Sequence, residues 1–98
     1  MKEWHEVFSA AFSAAIKFTI ALQPKNAPTV EIVDDPHAVQ VEWETDKFTA
    51  SFWFYENRTY EYRIVFHPEG FQIQLPDLEG EDVSVDAPIN EEFIRLLR

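Results

Sequence analysis

The chain has 98 residues, 46% of them apolar, and carries 18 acidic against 8 basic side chains for a net charge of −10. That length makes one domain with a modest core, and that charge argues against binding a phosphate backbone or an anionic membrane surface, both of which call for basic residues. There is no cysteine, which removes disulfides, zinc thiolates and thiol nucleophiles and suits a reducing, cytoplasmic setting.

Residues 3–22 predict an amphipathic helix. At 100° per residue, Trp4, Phe8, Ala11, Phe12, Ala15, Phe18 and Leu22 share one arc, flanked by Val7 on one side and by Ile16 and Ile20 on the other. The opposite arc is small and weakly polar, with Ser9, Ala10, Ser13 and Ala14 beside Glu3, Glu6 and Lys17. Small side chains permit close approach, so Ser9, Ala10, Ser13 and Ala14 are candidates for a helix contact, within the chain or in a homodimer. The MKEWHE start lacks a net positive charge, and Lys17 interrupts the apolar stretch, so neither a signal peptide nor a membrane span is expected.

Pro24 ends the helix and QPKNAP, residues 23–28, is a linker. Five strands follow: Thr29–Val33, Ala38–Glu44, Lys47–Tyr55, Thr59–His67 and Phe71–Leu75. Short connections make neighbours antiparallel, a meander. Face matching through the turns sets the expected register. Trp43 falls opposite Phe48, Val41 opposite Ala50 and Val39 opposite Phe52. Beyond the loop Glu56-Asn57-Arg58, Phe54 meets Tyr60, Phe52 meets Tyr62, Ala50 meets Ile64 and Phe48 meets Phe66. The HPEG turn then sets Phe66 against Phe71, Ile64 against Ile73 and Tyr62 against Leu75.

Residues 76–88 read as an acidic loop, with Val83 and Val85 as a candidate short edge strand. Asn90 caps a last helix over Asn90–Leu97, with Glu91 and Glu92 in its first turn and Arg95 in its last. The expected fold is a two-layer α+β domain. Its N-terminal helix and short C-terminal helix cover one face of a roughly five-stranded antiparallel meander.

Chemistry-bearing clusters are few. Asp34-Asp35-Pro36-His37 reads as a turn. From Asp77, an EF-hand loop would need Gly at its sixth position and Glu at its twelfth, where this chain has Asp82 and Pro88. Two glycines cannot build a phosphate loop. No catalytic residue, metal or cofactor is expected.

Binding is the stronger signal. Trp53 and Tyr55 fall on the polar face of a central strand beside Arg63 and Val65, and Trp and Tyr are enriched at interaction hot spots. Asp77, Glu79, Glu81 and Asp82 form an acidic stretch that suits a basic partner. These features predict a small acidic protein-binding module that neutralises or escorts another protein, of the immunity, antitoxin or anti-defence type. The alternatives are a dimeric secretion or folding chaperone, and a small ligand-binding domain or enzyme with a pocket between helix and sheet.

Overall fold

A computed structural model describes residues 9–34, 37–68 and 74–98. In chain order they form α1 (Ser9–Leu22), β1 (Thr29–Asp34), β2 (His37–Glu44), β3 (Phe48–Phe54), β4 (Thr59–Phe66), β5 (Leu78–Ser84) and α2 (Glu91–Leu97). The strands make one antiparallel sheet in the order β1-β2-β3-β4-β5. Both helices pack on the same face, so the expected α+β architecture holds.

The β3–β4 hairpin has the expected register: Phe54 opposite Tyr60, Phe52 opposite Tyr62, Ala50 opposite Ile64 and Phe48 opposite Phe66. Its loop turns at Arg58, whose φ of 67° is a left-handed conformation unusual for a side chain this large. The β2–β3 register is displaced by two residues, with Trp43 opposite Ala50, Val41 opposite Phe52 and Val39 opposite Phe54. The cause is a turn centred one residue later than expected, on Asp46-Lys47 rather than Thr45-Asp46. Thr45 faces Phe48, its N–H donating to the Phe48 carbonyl at 2.9 Å while its Oγ1 accepts from the Phe48 N–H at 3.0 Å. A shift of two preserves the faces, because the side-chain period is two.

The fifth strand differs more. Residues 71–73 of the expected Phe71–Leu75 strand lie outside the described residues. The strand that pairs with β4 is Leu78–Ser84, in the segment expected to be loop with a short edge strand at Val83 and Val85; it includes Val83 and stops before Val85, and Ile64 faces Leu78 rather than Ile73. A charged sequence is no obstacle at a sheet edge, where charge blocks unwanted pairing. Between Tyr60 and Tyr62 the pairing skips a residue, a bulge at which Asp82 adopts φ 55°.

Helix α1 is rolled from its expected orientation. Residues 3–8 lie outside the described residues; beyond them the buried positions are Ala11, Ala14, Ala15, Phe18 and Leu22, while Ile16 and Ile20 are exposed. Ala14, expected on the outer arc, faces the core. The sheet beneath is paved with aromatic rings, so alanines approach where larger side chains would collide. Phe18 enters this pavement, its ring centroid 5.0 Å from Phe52, 5.2 Å from Phe54 and 5.5 Å from Tyr60.

The Glu56 carboxylate in the β3–β4 loop accepts the Ala11 backbone N–H. A carboxylate set against the first turn of a helix bonds an N–H directed at it and is attracted by the positive end of the helix dipole. Glu56→Gln is therefore expected to cost about 1 kcal/mol in urea unfolding, less than Glu56→Ala, since the amide oxygen still accepts.

Helix α2 is capped as expected: Asn90 Oδ1 accepts the Glu92 N–H at 2.9 Å. It is tied to the end of α1, where Arg98 Nε donates to the Leu22 carbonyl at 3.2 Å and the Lys25 N–H donates to the Leu97 carbonyl at 2.6 Å. No helix among the described residues is long and apolar enough to cross a membrane.

Candidate interaction surface

The pairing of five strands lays out the face away from the helices in rows. One row runs Glu31, Gln40, Trp53 and Glu61; the next runs Thr29, Glu42, Ser51, Arg63 and Glu79; a third holds Glu44, Thr49 and Val65. Trp53 is thus central, with a glutamate at each end of its row. Five carboxylates share the face with one guanidinium, that of Arg63, among the described strand residues.

Hydrogen bonds hold these side chains in place. Trp53 Nε1 donates to Gln40 Oε1 at 3.1 Å, and Ser51 Oγ donates to Glu42 Oε1 at 2.8 Å. Thr49 Oγ1 and His67 Nε2 are 2.9 Å apart. Arg63 Nη2 donates to Asp77 Oδ2 at 3.0 Å, an exposed pair worth little for stability. Val65 is half-buried between these polar rows.

Sequence reasoning treated the aromatic face and the acidic stretch as separate surfaces. β5 joins them. It sets Glu79 opposite Arg63 and carries Glu81 and the bulged Asp82 to the end where Tyr55 lies. Two shallow depressions result, one lined by Trp53, Glu61, Arg63, Glu79 and Glu81, the other by Tyr55, Asn57, Thr59, Glu61, Glu81 and Asp82. The alternation of Leu78 and Val83 was the available signal, weakened by the intervening glycine and bulge.

The Tyr55 hydroxyl donates to Glu61. Burial pushes its pKa up to about 12, helped by that hydrogen bond and by the charges of Glu61, Asp82 and Glu81. Tyr60, in the core, is pushed up to about 12 by burial and by its neighbour Tyr62. Both phenols bind their protons more tightly folded than unfolded, where the value is 10.0. Their contribution is complete below pH 10 and fades as pH rises towards 12. Phenolate absorbance should therefore lag behind that of the urea-unfolded chain, and the urea midpoint should fall across this range; coincident titration curves would contradict the assignment.

The other candidates lie on the helical side. Ser9 and Ser13 are exposed, Ala10 is half-buried and Ala14 is buried, so the small arc is only partly free. Ser13 and Ala14 border a groove of about 310 Å³ between α1 and the 85–89 segment. Phe18, Phe54 and Tyr60 form part of its wall, and Lys17 and Arg58 also line it. Arg58 Nη2 pairs with Asp86 at 2.9 Å, whereas Lys17 has no ion pair among the described residues. Sequence reasoning did not single out this groove, because Lys17 and Arg58 are brought together only by tertiary packing.

No group of three or more His, Asp or Glu among the described residues is arranged to hold a metal ion. Comparison with family models, curated proteins and solved structures gives no match.

Proposed function

We propose that this chain is a non-enzymatic module that binds a basic protein through the outer face of its sheet and neutralises or escorts it, as immunity proteins, antitoxins and anti-defence factors do. The observation that carries this reading is Trp53 at the centre of a face with five carboxylates and one guanidinium. An aromatic anchor within a field of one sign combines a desolvated contact with electrostatic guidance.

Capture from the source cell should recover a specific cationic protein whose affinity falls as salt rises. Trp53→Ala should weaken that complex about 30-fold or more, as loss of a central anchor does, while leaving the circular dichroism spectrum unchanged. Glu61→Gln with Glu79→Gln should act mainly on the association rate. A partner that binds Trp53→Ala as tightly as the wild type would defeat the proposal.

The groove supports a second reading, a site for a small amphiphilic anion. One observation favours it: Tyr60 lines the groove, and its hydroxyl, the tip of an otherwise nearly buried side chain, keeps contact with solvent. With Lys17 alongside, that hydroxyl suits a carboxylate carried on an apolar body. Thermal-shift screening of fatty and aromatic acids should then give stabilisation that Lys17→Glu abolishes, and no response from the wild type would end this reading.

A further inference from the structure

Helix α1 and the adjoining edge strand β1 expose one continuous apolar surface. Ile16 and Ile20 are 56% and 69% exposed, and Val30 and Ile32 are 50% and 43% exposed. Ile16, Ile20 and Val30 line a single groove with Thr19, Pro28 and Val41, and Ile32 continues it along β1. These four side chains leave about 400 Å² of apolar surface in water, a size that on a monomer often marks an interaction site. Among the described residues β1 pairs only with β2, so its outer edge presents backbone donors and acceptors ready for another strand.

Charge indicates the occupant. Residues 9–30, which supply α1 and the start of β1, contain Lys17 and Lys25 and no Asp or Glu, although the chain carries 18 acids. A second copy, itself at −10, meets least repulsion on this side. A cationic partner has more to gain on the outer face of the sheet. Two such patches, with the backbone between them and the flanking helix surface, reach the ~1,000 Å² total of a modest specific interface.

We infer that two copies associate here, with β1 pairing antiparallel to its counterpart so that two sheets become one, and with the two α1 helices side by side. A two-fold axis normal to the sheet keeps each face on its own side, so one residue must stand opposite itself. Centring on Glu31 sets Val30 of each copy opposite Ile32 of the other, beneath Ile16 and Ile20. That register also brings the two Glu31 carboxylates together on the outer face. Salt therefore strengthens this association, the reverse of its effect on a basic partner.

Sedimentation velocity from roughly 1 µM to 1 mM, at low and high salt, tests this. The expected result is a monomer–dimer equilibrium that tightens with salt. Ile32→Lys and, separately, Ile20→Glu should each weaken it on the order of a hundredfold, because symmetry counts every change twice. Both positions are exposed, and unchanged thermal midpoints in dilute solution will show that the fold is intact. Mixing the wild type with Glu31→Lys should favour the mixed dimer over either pure one. A strict monomer at high salt overturns the inference and leaves this face to residues 1–8 or to another protein. A dimer that survives Ile32→Lys and Ile20→Glu overturns it as well, since the contact then lies elsewhere.

Discussion

Phe52→Ala is expected to remove about 4 kcal/mol of stability, as the loss of a fully enclosed phenylalanine does. Phe52 has no exposed surface and sits where the two layers meet. Its ring centroid lies 5.0 Å from those of Phe18 in α1 and Phe93 in α2, 5.7 Å from Trp43, 6.2 Å from Tyr62 and 6.4 Å from Tyr60. Truncation leaves a cavity bordered by five rings that cannot all move inward. A domain of this size has about 5–10 kcal/mol in total, so the variant should retain a native signal in water yet unfold at a urea concentration roughly half that of the wild type. Phe52→Leu, which keeps most of the volume, should cost about 1.5 kcal/mol. Equal midpoints for wild type and Phe52→Ala would mean that the aromatic cluster does not hold the layers together.

The second large effect comes from adding a single methyl group. At Gly80 a Cβ would come within 2.6 Å of Tyr62 Cε1 and 2.9 Å of its Cζ. The tyrosine ring lies across the glycine, and it has little room to retreat, with Phe93 at 4.7 Å and Phe52 at 6.2 Å. Gly80→Ala should cost about 2 kcal/mol, within the usual range for overpacking. The two residues should be strongly coupled: in a Tyr62→Leu background the same change should cost about 0.5 kcal/mol or less. Additive effects in that double-mutant cycle would show that the ring swings aside freely.

These two positions also mark what was legible in the sequence. The inward apolar residues of β3 and β4 alternate regularly up to a three-residue loop, so face matching and loop length together set one register, and that register is found. β2 and β3 were harder. Trp43 buries equally well opposite Phe48 or Ala50, and the Thr45 side-chain hydrogen bonds decide between them. β5 was obscured because its inward positions are Leu78, Gly80 and Val83, and the glycine shows no apolar pattern until Tyr62 is known to cover it. The roll of α1 depended on the sheet's ring volume, which periodicity within the helix does not register. The outer face illustrates both sides. Trp53, Tyr55, Arg63 and Val65 were placed from strand alternation alone, whereas the addition of Glu79, Glu81 and Asp82 required a strand longer than the short edge strand expected at Val83 and Val85.

The segregation of carboxylates away from residues 9–30 has a kinetic consequence. Such a molecule has a dipole moment as well as a net charge, and its field exerts a torque on anything charged that approaches within a Debye length of about 10 Å. A cationic protein diffusing in is turned before contact, so a larger share of first collisions begins near the docked orientation. The same torque acts between two copies of the chain and turns their acidic sides apart. Orientation in both encounters is thus biased by where the sequence carries no acid, before any side chain touches another.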